Sequence, residues 1–346
     1  MSSRLTIPLA TNGRRATRGF VAALAAASVL ALAACGGDAT ADDETAADAG
    51  TTAEATSVEV EDNNGTQTIN LPLESVVATD NRTFETLSDW GVELSAAAVS
   101  LMPDTIAYTQ DETIIDLGNH REPDLEAVVA VAPDLIVNGQ RFADYHDDFA
   151  DLAPDAVILE LDPREGEPFD DELRRQVTVL GEVFGHQDDA AALVADFDAA
   201  IARVQAAYSP EDTVMAVNTS GGEIGYIAPT VGRTLGPLFD MFGLTPALEV
   251  ADGTDDHQGD DISVEAIADS DPDWILVMDR DAAVSADDPS YVPGAEIIEG
   301  SEALANVTAI TEGNIVYMPA DTYTNEGIQT YTEFLNTLAD ALEGDA

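Results

Sequence analysis

The chain has 346 residues, with 67 acids against 13 bases and a formal charge of −54. All 13 bases are arginine; four of them (Arg4, Arg14, Arg15, Arg18) precede residue 35, where there are no acids, so the remainder carries −58. That excludes a nucleic-acid binder, which needs a basic footprint, and electrostatic docking on anionic lipid, while 45% apolar residues suffice for a core spread over about two domains.

The chain opens on a basic stretch, residues 1–18, followed by FVAALAAASVLALAA at 20–34. As helix this run would reach roughly 22 Å, short of the ~30 Å hydrocarbon core, so it reads as an export signal. It ends in Leu32-Ala33-Ala34-Cys35. Small residues before a cysteine look like a bacterial lipoprotein box, which implies cleavage after residue 34 and lipid on Cys35. Cys35 is the only cysteine, so no internal disulfide forms. Arg14-Arg15 leaves export by the twin-arginine or general route open. Residues 35–57 are an acidic, low-complexity run that reads as a disordered tether with a reach of roughly 25 Å.

The folded part contains a repeat. Residues 124–141 and 263–280 match at an offset of 139, with glutamate (Glu126, Glu265), proline (Pro133, Pro272) and arginine (Arg141, Arg280) in the same register. In each copy an N-cap (Asp124, Ser263) starts a short helix that stops at Pro-Asp. An unbroken apolar strand follows, 135–137 or 274–278. Such runs suit parallel strands covered on both faces. The arginine then falls at the strand's carboxyl end, where open α/β sheets bind ligands. Between the copies, Leu173, Val177, Leu180 and Phe184 form one apolar stripe ending at Gly185, a plausible stop. Leu193, Phe197, Ile201, Val204 and Tyr208 form a second, predicting a helix at 186–208 that connects an N-terminal α/β lobe (58–185) to a C-terminal one (209–346).

These features resemble the substrate-binding lipoproteins of iron–siderophore ABC importers, whose class III periplasmic binding protein fold joins two α/β lobes by one backbone helix with the ligand cleft between them. The resemblance covers about residues 70–340. It is carried by Glu122-Pro-Asp-Leu-Glu126, Asn138-Gly-Gln-Arg141, Gly232-Arg233 with Phe239 and Gly243, Pro272-Asp-Trp, Met278-Asp-Arg280 and Gly313-Asn-Ile-Val-Tyr317. The closest look is to the ferric-catecholate binders. It implies that Arg141, Arg233 and Arg280 surround an anionic iron complex. It also implies that His257 and Tyr323 can reach iron if the siderophore leaves positions open, and that Glu126 and Glu265 dock on the permease. The implied protein is a lipid-anchored monomer on the outer face of the cytoplasmic membrane, with a ferric siderophore as ligand and no permanent cofactor.

Guanidinium is planar, always charged and rich in donors, which suits the oxygens of a trianionic ferric tris-catecholate. Each charge-assisted bond nets roughly 1.5–3 kcal/mol. Other readings stand beside this one. An arginine in so acidic a chain often pairs with a surface carboxylate. Glu126 and Glu265 also suit the first turn of a helix on dipole grounds alone. His120, His146 and His186 lack metal-ligand spacing and read as surface residues. Gly221-Gly222 reads as a turn. No nucleophile elbow, P-loop or Cys–His arrangement supports an enzyme. A heme, cobalamin or Zn/Mn binder of the same fold is the alternative.

Overall fold

The computed structural model describes residues 56–344. The signal segment 1–34, Cys35 and most of the 35–57 run lie outside the described residues. The description opens on a hairpin, β1 (Ser57–Asp62) and β2 (Gly65–Asn70), paired in antiparallel register. The first lobe then runs β3 (Val76–Ala78), α1 (Phe84–Asp89), β4 (Ala96–Ala97), β5 (Ile115–Asp116), α2 (Leu125–Val131), β6 (Leu135–Asn138), α3 (His146–Leu152) and β7 (Val157–Glu160). Its five strands are parallel, in the order β5-β4-β3-β6-β7.

Two helices follow, α4 (Phe169–Phe184) and α5 (Gln187–Ala207). The second lobe begins with β8 (Thr213–Ser220), β9 (Glu223–Ile227), α6 (Pro237–Phe242), β10 (Thr245–Pro246) and α7 (Val264–Ser270). It continues with β11 (Trp274–Asp279), α8 (Arg280–Val284), α9 (Gly294–Glu299), α10 (Thr308–Glu312), β12 (Ile315–Tyr317) and α11 (Ile328–Glu343). Its parallel order is β10-β8-β11-β12, and β9 pairs antiparallel with β8 through a turn at Gly221-Gly222.

The repeat is visible residue by residue. The side chains of Asp124 and Ser263 accept from the N–H groups of Ala127 and Ala266, capping α2 and α7. Both helices stop in a left-handed residue just before the proline, Ala132 (φ 44°) and Asp271 (φ 45°). The aspartate after each proline then holds the start of the neighbouring strand. Asp134 accepts from the N–H groups of Glu74 and Ser75, and Asp273 from that of Thr213. The unbroken apolar runs are explained by burial on two faces. Along β11, Trp274, Leu276 and Met278 enter one core, and Ile275 and Val277 enter the core on the other side.

The bridge between the lobes is one helix earlier than predicted. α5 buries Phe197, Ala200, Ile201 and Val204 in the second lobe's core only. α4 sends Leu173 and Val177 into that core, and Val179, Leu180 and Val183 into the core of the first lobe. Length favoured 186–208 as the connector. Its stripe has a single destination, however, whereas the stripe on α4 changes core within two turns. α4 ends as predicted at Gly185, left-handed with φ 77°.

Candidate functional site: a cationic cleft between the sheets

Parallel strands interleaved with helices put every strand's carboxyl end, and the amino end of the next helix, at one edge of the sheet. At that edge a cavity of about 570 Å³ opens, and Arg141, Arg233, His257, Arg280 and Tyr323 all line it. Arg141 sits in the 3₁₀ turn Gln140–Tyr145 directly after β6. Gly139 makes this turn possible, since a Cβ there would lie 2.8 Å from Asp80 Oδ2 and 2.9 Å from Asp162 Oδ2. The N–H of Gln140, a residue at φ 50°, donates to both oxygens of Asp162 at 3.0 and 2.9 Å. Arg280 is the first residue of α8, whose N-cap Asp279 accepts from the N–H of Ala282. Arg233 lies in the tight turn that leads into α6, where the N–H of Leu235 donates to its carbonyl at 2.8 Å.

The three guanidiniums meet on Tyr323, in the 3₁₀ turn Thr322–Thr324. Their central carbons lie 4.7 Å (Arg141), 4.7 Å (Arg233) and 4.8 Å (Arg280) from the centre of its ring, which is 5% exposed. The ring's negative face attracts each cation and its bulk separates them. Arg141 also donates from Nη2 to the Tyr323 carbonyl at 2.9 Å, tying the first lobe to the second. Burial, then the neighbouring Arg233 charge, pulls Arg141 below the ordinary arginine value.

Charge compensation is uneven, a feature the sequence did not reveal. Glu326, 1% exposed, accepts at Oε1 from Arg233 Nε at 3.0 Å and Thr234 Oγ1 at 2.8 Å, with Arg233 Nη2 at 2.9 Å. Its other oxygen lies 3.4 Å from Arg82 of the first lobe, which also pairs with Asp162 at 2.8 Å. Burial would raise the Glu326 pKa, but Arg233 and Arg82 outweigh it and hold the carboxyl below the usual range. Asp80, buried beside Asp162, is pushed up to about 7, by burial first and Asp162 second. Arg280 reaches Asp281 at 3.1 Å and Ser220 at 3.3 Å. Among the described residues only Arg141 of the trio lacks a carboxylate partner. The Nε groups of Arg141 and Arg280 are buried with no acceptor, and an unmade bond of that kind costs about 1–3 kcal/mol. The cleft therefore gathers guanidinium donors, a chemistry suited to anionic oxygen. Because two of its three cations are already paired, full additive attraction for a trianion is not available.

His257 is 49% exposed at its side chain, and its carbonyl accepts from Asn218 Nδ2 at 3.0 Å. His120 departs from the surface role predicted for it: it lines the same cavity, as do Arg121 and Gln140. Burial, then Arg141 and Arg121, depress its pKa. The other two histidines do sit outside the cleft. His146 pairs with Glu160 at 3.1 Å; His186 pairs with Asp189 at 2.7 Å and stacks on Trp90. Glu126 and Glu265 lie in the first turns of α2 and α7, exposed and without a cation partner among the described residues. The helix geometry puts them at the cleft edge of each sheet.

Two α/β lobes, a shared spanning helix and a polar cleft at facing sheet edges define a binding protein of the class III periplasmic type, not an enzyme. The chain belongs to the periplasmic binding protein family, whose model matches residues 76–322. It is 24% identical over 287 residues to the petrobactin-binding protein YclQ of Bacillus subtilis, spanning 82% of this chain and 86% of that one. It is 27% identical over 278 residues to the ferric-anguibactin-binding protein FatB of Vibrio anguillarum, spanning 78% and 81%. Among solved structures, the periplasmic catecholate-siderophore binding protein VctP of Vibrio cholerae shares the fold with a TM-score of 0.70 at 22% identity, over 83% of this chain and 99% of that one.

Proposed function

We propose that the protein captures an anionic ferric siderophore of catecholate type in the cleft and delivers it to the permease of an ABC importer for iron uptake. The observation that carries this reading is the convergence of Arg141, Arg233 and Arg280 on Tyr323, with buried Nε donors left unsatisfied. Relatives named for binding petrobactin and ferric anguibactin support it. His257 and Tyr323 act as iron donors when the siderophore leaves coordination sites open; the Tyr323 hydroxyl makes no hydrogen bond among the described residues. Among the described residues no three His, Cys, Asp or Glu side chains group as a metal site. That favours a cargo bringing its own iron ligands over a bare zinc or manganese ion.

The protein acts as a monomer, exported and held at the membrane by lipid on Cys35, with the residues between Cys35 and β1 as the tether. Glu126 and Glu265 dock on the permease, one from each lobe. Fluorescence titration with ferric and iron-free catecholate complexes tests the ligand. Micromolar or tighter binding of the ferric form is expected, and equal, weak response to both overturns the reading. Mass spectrometry of the membrane-bound protein tests the anchor: a diacylglyceryl mass on Cys35 supports it, and an unmodified cysteine sinks it.

A further inference from the structure

His120 lines the cleft but has so far been given no role there, and its position mirrors that of His257. Both lie in loops that leave an edge strand and enter a capped helix. His120 follows β5 and stands four residues before the N-cap Asp124; His257 follows β10 and stands six before the N-cap Ser263. Each backbone carbonyl is pinned by a side chain of its own lobe. Tyr145 Oη donates to the His120 carbonyl at 2.7 Å, and Asn218 Nδ2 to that of His257 at 3.0 Å. The His120 loop is fixed further by Asn119, whose Oδ1 accepts from the N–H of Arg121 at 2.9 Å, and by the N–H of Asp124 donating to the Leu117 carbonyl at 2.9 Å.

The two imidazoles face one cavity from opposite lobes. The backbone at His120 is held while its ring is not: the ring makes no hydrogen bond among the described residues, and of its two nitrogens Nδ1 is sealed from solvent while Nε2 is not. A side chain so placed, beside Arg121 and Arg141, leaves Nε2 free to donate to an occupant of the cavity.

Resting on the siderophore reading of the cleft, we propose that His120 is a ligand-contacting residue. Its imidazole donates a hydrogen bond to an anionic oxygen of the ferric complex on the first-lobe wall, opposite His257. The pair grips the cargo from both lobes and selects complexes wide enough to span the cleft.

The test uses the full folded domain and two probes, a ferric tetradentate bis-catecholamide and a ferric hexadentate tris-catecholamide, titrated into wild type, His120→Ala and His120→Gln. Because the ring bonds to nothing among the described residues, the melting temperature of ligand-free His120→Ala should match wild type. Its Kd for the better-bound probe should rise about tenfold, the value of one hydrogen bond to a charged acceptor. His120→Gln, which keeps a donor, should recover most of that. If wild type binds a probe and both variants bind it equally well, the inference is wrong while the siderophore reading stands. If wild type binds neither probe, the siderophore reading itself has failed, and this inference with it. A fall in melting temperature together with lost binding in His120→Ala, unrescued in His120→Gln, would make the residue structural and also overturn the inference.

Discussion

Replacing Glu326 by alanine should be among the most costly single changes in the molecule. The carboxylate is sealed from solvent and serves two guanidiniums, one from each lobe, plus the Thr234 hydroxyl. Truncation strands Arg82 and Arg233, both mostly buried. Removing one partner of a buried pair costs ~3–5 kcal/mol, because the remaining charge is left unsolvated. Thr234 loses its acceptor at Glu326 for about 1 kcal/mol more. Asp162 still compensates Arg82 at 2.8 Å, so the lower end of the range is expected, about 3–4 kcal/mol. Set against a total stability of roughly 5–15 kcal/mol, that is a large fraction. Urea unfolding followed by far-UV circular dichroism measures it. Glu326→Gln, which keeps an acceptor for Arg233 and Thr234, should lose about half as much. A Glu326→Ala protein within ~1 kcal/mol of wild type would refute the picture of a shared, dehydrated counter-ion.

Arg141→Ala should weaken ferric-catecholate binding by at least ~1.5 kcal/mol, more than tenfold, with little change in unfolding midpoint, since Arg141 has no carboxylate partner among the described residues. Arg233→Ala should lose both affinity and stability, because it leaves Glu326 without its closest cation; calorimetric titration beside thermal melts separates the two. Asp80 binds its proton up to about pH 7 in the fold against an ordinary value of 3.8. The folded state therefore holds the extra proton across that window, and stability should decline as pH rises from 4 to 7. Asp80→Asn should flatten this slope in unfolding titrations. Glu172, which burial would raise but Arg164 and Arg175 hold down to about 2, adds slope only in more acidic solution, where its contribution is lost as pH falls. An unchanged slope in Asp80→Asn would place the titrating group elsewhere. The acidic exterior repels an anionic ligand at low salt, so the association rate in stopped flow should rise from low to moderate ionic strength, as the Debye length shortens to roughly 8 Å at 0.15 M. A steady fall would contradict it.

Much of the fold was legible because local chemistry fixes it. The caps at Asp124 and Ser263, the Pro-Asp stops and the doubly buried strands are each set within a few neighbouring residues, and so was the register that sends Arg141 and Arg280 to one edge. The β1–β2 hairpin was overlooked, although Asn63-Asn64 followed by Gly65 is a recognisable turn signal between alternating strands. The bridging role of α4 and the pairing of Arg82 with Glu326 were not legible. Both are decided by which core or charge lies across the lobe boundary, and Arg82 and Glu326 are far apart in sequence with no shared pattern. His120 was hidden for a similar reason: without metal-ligand spacing, only the packing of its loop reveals that it faces the cavity.

One helix threading both cores, with a salt-linked Glu326 where the lobes meet, has a bearing on how an importer would sense its courier. Stiffness of this kind would keep the empty and the laden molecule nearly alike in outline, leaving little room for a large swing of one half against the other as a signal. On the proposed reading, a transporter would then have to recognise occupancy from what fills the mouth of the groove, and supply from its own motions the work of prising the cargo loose.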